Sequence, residues 1–269
     1  MKNDTMLKAV LHAHSTYSDG EFTLSEIKDI FWEQGAAVVC MTDHAESFDQ
    51  RKLADYISEC AALSDERFRF ICGLEYECEQ RMHILGYGCT APALSKNPQE
   101  VIRHIEEHGG VSVIAHPKDA MFPWIESFDV LPIGIETWNS KYDGRYAPRP
   151  ATFELLLRLQ KRRPGMKAFY GQDLHWRKQF RGLFTQLNCG ASNREEILEA
   201  LSSGAFTGLK DGMELPSSGK LSPQLASEFA ARHTKSDRMR NFFTAAKKAS
   251  DGLGIRVPAS IKAHLRRIF

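Results

Sequence analysis

The chain has 269 residues, of which 42% are hydrophobic and 26% are charged, and this is the composition of a globular protein. No apolar run is long enough to cross a membrane, and the first residues lack the apolar core of a signal peptide, so we expect a cytoplasmic protein. The net charge of +1 hides an asymmetry, because residues 212–269 contain eleven Lys and Arg against four acids.

Strand and helix patterns alternate through the first two hundred residues. The first predicted helix opens with the capping-box pattern Thr23-Leu24-Ser25-Glu26 and ends at Gly35. The predicted strands cover 8–14, 36–42, 68–77, 82–87, 111–115, 133–138, 168–171, 183–188 and 205–209. The predicted helices cover 23–34, 48–63, 98–108, 121–128, 151–161 and 194–201. This order predicts an α/β fold with a parallel sheet, and seven or so units favour a β/α barrel over an open doubly wound sheet.

The basic end, residues 212–269, is predicted to be a mostly helical C-terminal extension of a body formed by residues 1–211. A linker at 216–219 precedes predicted helices at 223–250 and 259–269. The last helix has an apolar stripe among basic residues, so it can pack on its own domain or another subunit, lie on an acidic membrane surface, or bind an acidic partner. We expect packing, and we expect no stable nucleic-acid complex because the extension has no basic platform rich in aromatic residues.

Potential metal ligands lie within or just after the predicted strands, whose carboxyl ends would gather on one face of a parallel barrel. His12 and His14 are two apart, which directs both rings to one face of an extended strand, and Asp173 and His175 repeat this spacing. Imidazole and carboxylate ligands suit zinc, iron or manganese, and nine of them imply two or three ions. With Asp19 on the turn after the first strand, the candidate ligands are His12, His14, Asp19, His44, Glu75, His83, His116, Asp173 and His175.

Two other patterns have structural interpretations. Residues 104–108 match the zinc motif H-x-x-E-H, but they lie in the last turn of a predicted helix, where histidines interact favourably with the helix dipole. The six cysteines have no C-x-x-C spacing and several lie in apolar runs, so we expect buried free thiols.

The candidate ligands lie in short motifs that resemble those of the PHP (polymerase and histidinol phosphatase) family, in the same order, over about residues 7–209. The motifs are His12-Ala13-His14, Ser18-Asp19-Gly20, Thr42-Asp43-His44, Gly73-Leu74-Glu75, His83, Ala115-His116-Pro117 and Gly171-Gln172-Asp173-Leu174-His175. The resemblance implies an irregular seven-stranded β/α barrel, a trinuclear metal centre and hydrolysis of phosphate esters. The segment between His83 and His116 is short, so the substrate-covering domain that some relatives insert there is not expected.

The resemblance also implies how the ligands are shared among three ions. The first ion would be held by His12, His14, Glu75 and Asp173. Glu75 would bridge to a second ion held by His83 and His116, and the third would be held by Asp19, His44 and His175. The candidate catalytic residues are Asp19, His44, Glu75, Asp173 and His175.

The substrate contacts are less well defined by the sequence. Asn139, Lys118 and Arg177 are the candidates, and Lys141 and Arg145 are further cations in a polar loop after the strand at 133–138. We expect a metal-dependent phosphoesterase that uses metal-activated water on a small phosphorylated metabolite of the nucleotide or sugar phosphate class. The alternatives are a histidinol-phosphate phosphatase, an exonuclease-type phosphodiesterase, and a non-catalytic metal-binding module that engages an acidic partner through its extension.

Overall fold

Two six-stranded sheets form the framework of the protein over the part of the chain that the structure, a computed structural model, describes. The described residues are 5–144, 146–234 and 238. The strands are β1 Thr5–Ala13, β2 Val38–Met41, β3 Asp43–His44, β4 Arg69–Ile71, β5 Leu74–Glu77, β6 His83–Tyr87, β7 Val111–Ala115, β8 Gly134–Asn139, β9 Lys167–Gly171, β10 Leu183–Cys189, β11 Phe206–Lys210 and β12 Met213–Pro216. The α-helices are α1 Leu24–Glu33, α2 Gln50–Leu63, α3 Pro98–Glu107, α4 Phe122–Glu126, α5 Pro150–Leu159, α6 Arg194–Ser203 and α7 at 223–234.

Both sheets are mixed, so the predicted parallel sheet is correct only for some of the strand pairs. The first sheet has the order β12-β11-β10-β1-β2-β4, in which β1, β2 and β4 are parallel and the other pairs are antiparallel. The second has the order β3-β5-β6-β7-β8-β9, in which β6 is antiparallel to both neighbours. The segment 78–82 between β5 and β6 is too short for a crossover helix, so the chain reverses direction there.

The two sheets meet on two sides. On one side β2 continues into β3 and β4 into β5 after a short break. On the other side, the backbone N–H of Gln172 donates to the carbonyl of Leu11 over 2.9 Å, and that of His14 donates to the carbonyl of Leu174 over 2.9 Å. The strands nevertheless belong to two sheets, so a closed seven-stranded barrel is not confirmed.

Helix α1 begins as its sequence predicts. The backbone N–H of Glu26 donates to the hydroxyl of Thr23, and the backbone N–H of Thr23 donates to the Glu26 carboxylate over 2.8 Å. Leu24, Ile27 and Phe31 form the buried stripe of this helix. Burial of each such side chain contributes roughly 1.5–3 kcal/mol, so the stripe fixes the helix against the hydrophobic core.

The predicted C-terminal extension begins within the described structure. Strand β12 pairs with β11, so residues 213–216 belong to the first sheet. Helix α7 starts at 223 as predicted, while the predicted helix at 259–269 and most of 235–250 lie outside the described residues. The boundary at 212 stays a prediction. Among the described helices, none has the length and hydrophobicity that crossing a membrane requires.

Candidate metal centre

The first histidine pair lies at the end of β1, but the strand is not extended there as predicted. His12 has a φ of 61°, in the left-handed region, and the pairing of β1 with β2 shifts register between Leu11 and Ala13. This bulge re-aims the His12 ring, and its Nε2 lies 3.1 Å from Nε2 of His14. The two rings converge as expected, but a bulge brings them together rather than the two-residue alternation of side chains along an extended strand.

Two more candidate ligands have left-handed backbone directly after a strand. His116 follows β7 with a φ of 29°, and Asp173 lies two residues after β9 with a φ of 51°. Such conformations cost non-glycine residues of order 1–3 kcal/mol and persist where the surroundings determine them. His12, His116 and Asp173 thus combine left-handed backbone with a position at or near the end of a strand.

Glu75 is the centre of the cluster. Its side chain is only 1% exposed, and imidazole nitrogens approach both carboxylate oxygens. Burial disfavours the charged form of this carboxylate and so raises its pKa. The surrounding histidines, His12 first, outweigh burial and hold the pKa of Glu75 well below its usual value. The distances are 2.7 Å to His83 and 3.1 Å to His116 from Oε1, and 3.2 Å to His14, 3.5 Å to His12 and 3.5 Å to His44 from Oε2.

Asp19 and Asp173 lie on either side of His175. Nδ1 of His175 is 3.1 Å from Oδ1 of Asp173, and its Nε2 is 3.2 Å from Oδ1 of Asp19. Burial lowers the pKa of His175, but the two carboxylates outweigh burial and raise it to about 9. The histidines in turn lower the pKa of Asp173 and of Asp19 against the effect of burial. Asp19 differs from the other carboxylates because its side chain is 55% exposed.

The donor atoms fit divalent metal ions. Four overlapping groups have ligand atoms within 4.8 Å of one another: His14, Asp19, His44 and His175; His12, Glu75 and His116; His12, His14 and Asp173; and His44, Glu75 and His83. Burial lowers the pKa of His14 to about 3, which keeps its imidazole neutral, the form that binds metal. The buried Nδ1 atoms of His14 and His44 have no hydrogen-bond partner within the described structure. The chemistry of this set, with imidazole nitrogens against carboxylate oxygens, suits zinc, iron or manganese.

A carboxylate that is not among the candidate ligands predicted from the sequence supports the cluster through hydrogen bonds. Glu136 in β8 is 1% exposed, and its Oε1 lies 2.8 Å from Nδ1 of His12. Its Oε2 accepts from the backbone N–H of His116 and from Nδ2 of Asn139, each over 2.9 Å. When Nδ1 of His12 donates to Glu136, Nε2 keeps the lone pair that a metal needs. The sequence feature that could have identified Glu136 is its position as an acid within the apolar strand pattern at 133–138.

Asp43 plays a similar part for the loop that carries Asp19. Its buried carboxylate accepts from the backbone N–H of Ser15 over 2.8 Å and from the hydroxyls of Ser15 and Ser18 over 3.0 and 2.6 Å. Burial raises the pKa of Asp43, although these hydrogen bonds oppose the rise. The loop between β1 and α1 is thereby held next to the cluster.

The three substrate candidates occupy different positions. Asn139 is fully buried, donates to Glu136 and to Asp173, and accepts from the backbone N–H groups of Lys141 and Tyr142, so it holds other site residues in place. Lys118 is exposed just beyond His116. Arg177 is also exposed, with its guanidinium 5.3 Å from the centre of the Phe22 ring.

Within the described part of the chain, Lys141 is the cation that lies against the cluster. Its Nζ lies 3.2 Å from Oδ1 of Asp173 and 3.2 Å from Nε2 of His175, and the side chain is 21% exposed. The sequence offered it only as one of several cations in a polar loop. Arg145, from the same loop, lies outside the described residues.

The remaining sequence patterns are structural. His104 Nε2 lies 3.0 Å from the carbonyl oxygen of Ala91, and His108 Nδ1 lies 2.7 Å from that of His104, so the H-x-x-E-H pattern contacts backbone groups. Cys40, Cys60, Cys78 and Cys89 are buried free thiols, and Cys72 is a free thiol that is partly buried.

Fold and site together define an α/β protein with a buried cluster of imidazoles and carboxylates suited to divalent ions. A sequence model of the PHP domain matches residues 11–181, which is more than half of the chain. This chain belongs to the PHP domain family, and the resemblance seen in its motifs is confirmed.

Solved structures share the fold at low sequence identity. One is a two-domain protein from Bacteroides vulgatus that contains a predicted PHP-like metal-dependent phosphoesterase; it is 17% identical with a TM-score of 0.56, over 78% of this chain and 66% of that chain. Another is PsfC from Pseudomonas syringae, which is 14% identical with a TM-score of 0.54, over 86% of this chain and 99% of that chain. A search of curated proteins found no match.

Proposed function

We propose that this protein is a metal-dependent phosphoesterase that hydrolyses a phosphate ester in a small phosphorylated metabolite of the nucleotide or sugar phosphate class. The observation that supports the proposal is the meeting of nine candidate metal ligands, two of which are the buried carboxylates of Glu75 and Asp173. Burying two carboxylates is costly unless cations compensate them, so the cluster is built for positive charge. Membership of the PHP domain family supports the same chemistry.

We assign the ligands to a trinuclear centre. His12, His14, Glu75 and Asp173 would hold one ion; Glu75, His83 and His116 a second; and Asp19, His44 and His175 a third. Divalent ions, manganese, iron or zinc, would supply the Lewis acidity that activates water and neutralises phosphate charge. The irregular seven-stranded barrel belongs to this proposal, and the hydrogen bonds that join residues 11–14 to 172–174 support it.

The chain's own groups would prepare the reaction. Glu136 sets the orientation of His12, and Asn139 donates to Oδ2 of Asp173 over 3.0 Å. Lys141 places a fixed positive charge beside Asp173 and His175, where it can bind a phosphate oxygen and stabilise the charge that develops on it. Asp19, the most exposed ligand, borders the solvent side through which a substrate enters.

The first test combines elemental analysis of protein purified without chelator with manganese-stimulated hydrolysis of p-nitrophenyl phosphate and of its bis ester. We expect two or more ions per chain and turnover that Glu75→Ala abolishes. Because Glu75→Ala removes a buried charge and can impair folding, Asp19→Asn at the exposed ligand serves as a second variant. His104→Gln, which alters a histidine bonded to a backbone carbonyl, is the control. One ion or none per chain would overturn the trinuclear assignment.

The same experiment separates the alternatives. Preference for the bis ester would favour an exonuclease-type phosphodiesterase, and turnover of histidinol phosphate alone would favour a histidinol-phosphate phosphatase. Bound metal without turnover of any ester, with Asp19→Asn lowering only stability, would favour the non-catalytic module. In that case the basic extension, whose end lies outside the described residues, would be the candidate contact for an acidic partner or a membrane surface.

A further inference from the structure

Two exposed aromatic rings stand beside the cluster on its solvent side. Tyr142 is 52% exposed, and its ring centre lies 4.6 Å from that of His116. Trp176 is 40% exposed, and its ring centre lies 5.4 Å from that of His175. Because both rings contact candidate metal ligands and are partly exposed to water, they are placed to contact whatever binds at the ions.

Positive charge lies between and around these rings. Lys141 Nζ is 5.3 Å from the centre of the Tyr142 ring and 5.8 Å from that of Trp176, and Lys178 Nζ is 5.2 Å from the Trp176 ring. An aromatic pair with lysines at its faces suits a ligand that is both planar and anionic. A sugar phosphate carries the negative charge but has no planar aromatic ring, whereas a nucleotide has both.

Hydrogen bonds connect both aromatic residues to the site. The buried side chain of Gln179 accepts from the backbone N–H of His175 over 2.6 Å and from that of Trp176 over 2.9 Å. The backbone N–H of Tyr142 donates over 3.2 Å to Oδ1 of Asn139, whose amide also holds Asp173. The backbone that carries each ring is therefore anchored to the candidate ligands, which lowers the entropy cost of ordering the rings around a bound molecule.

We infer that Tyr142 and Trp176 form the subsite for the leaving group, and that this group carries a planar aromatic ring. The inference rests on the proposed function and narrows its substrate class from nucleotide or sugar phosphate to nucleotide. The base stacks on the Trp176 and Tyr142 faces, while the phosphate lies at the cluster beside Lys141.

The test compares adenosine 5′-monophosphate with ribose 5-phosphate, which share the phosphorylated ribose and differ in the base. Stacking on one aromatic ring makes roughly a tenfold difference in binding, so we expect kcat/KM to favour the nucleotide by about that factor or more. Trp176→Ala should raise the KM for the nucleotide about tenfold and bring the two kcat/KM values together, whereas Trp176→Phe should preserve the preference. Trp32→Ala is the matched control, since Trp32 is 45% exposed near the end of α1 with Arg67 over its ring. Equal kcat/KM for the two substrates in the wild type would overturn the inference.

A binding measurement separates the subsite from the phosphoesterase activity. Tryptophan fluorescence of chelated protein, which does not turn over, should change saturably with adenosine 5′-monophosphate and not with ribose 5-phosphate, and Trp176→Ala should remove the change. If no ester is hydrolysed but this signal is present, the proposed function fails and the aromatic subsite stands. A nucleotide signal that survives Trp176→Ala, or no signal at all, would contradict the subsite.

Discussion

At the scale of single residues, the site requires glycine where the backbone passes so close to a side chain that a Cβ atom would not fit. Gly171, the last residue of β9, is the clearest case, because a Cβ there would lie 1.7 Å from Oε1 of Glu136 and 3.2 Å from Cβ of His12. The glycine therefore provides the space in which Glu136 reaches His12. In the segment Gly171-Gln172-Asp173, Gly171 thus leaves room for the Glu136 carboxylate, and Asp173 is a candidate ligand.

We predict that Gly171→Ala displaces the Glu136 carboxylate, because the new methyl group cannot share its position. The free energy of unfolding should fall by about 1–3 kcal/mol, and manganese affinity should fall with it because His12 loses its orienting partner. Urea denaturation and competitive metal titration would measure the two effects. Gly165→Ala is the control, since a Cβ at Gly165 meets nothing within 4 Å, and its free energy of unfolding should change by less than about 1 kcal/mol. Equal behaviour of the two variants would contradict this account of Gly171.

At the scale of elements, the loop after β8 is held from two sides. Nε1 of Trp138 donates to the carbonyl of Gly144 over 3.0 Å, and the Trp138 ring packs against Phe229 of α7 with ring centres 5.7 Å apart. Arg149 pairs with Asp143 in the same loop and with Asp119 in the segment after β7. Since this loop carries Lys141 and Tyr142, the beginning of the predicted extension contributes to the shape of the site.

We predict that Phe229→Ala lowers the free energy of unfolding by about 3–5 kcal/mol, because Phe229 is 1% exposed and its removal leaves a cavity against Trp138. Thermal or urea unfolding followed by circular dichroism would measure the loss. Leu157→Ala, at a position 41% exposed on α5, is the matched apolar truncation and should cost much less. A loss for Phe229→Ala no larger than that for Leu157→Ala would show that α7 contributes little to the stability of the body.

At the scale of the whole molecule, the cluster lies where the two sheets meet, so ligands from both sheets converge on it. His12 and His14 belong to or follow a strand of the first sheet, whereas Glu75 and His83 belong to the second. An ion that binds residues of both sheets stabilises the native arrangement over the unfolded chain, which has no preformed site.

We predict that manganese raises the thermal midpoint of chelated protein. The free energy of unfolding should rise by about 4 kcal/mol when the free manganese concentration is a thousandfold above its Kd. Differential scanning calorimetry with and without metal would measure it. His14→Gln should lose much of the gain because His14 faces Glu75, Asp19 and Asp173. His104→Gln should keep it, since His104 contacts a backbone carbonyl. A midpoint that does not respond to metal would argue against ligation across the sheets.

The sequence by itself determined the order of strands and helices through β11, but not β12, and it determined the nine candidate ligands. These features are local, because capping, periodicity and the position of a ligand at a strand end are visible within a few residues, as at Thr23 and Glu26. The pattern of motifs also determined the family, which the sequence model of the PHP domain confirms.

The tertiary structure decided what depends on residues distant in the chain. Glu136 reaches His12 from 124 residues away and Lys141 reaches Asp173 from 32 residues away, so neither contact has a local signal in the sequence. The left-handed backbone of His12, His116 and Asp173 was likewise not predictable, because such strain arises from packing between elements. Local chemistry thus identified the candidate ligands, and long-range packing decided which groups orient them and which rings border them.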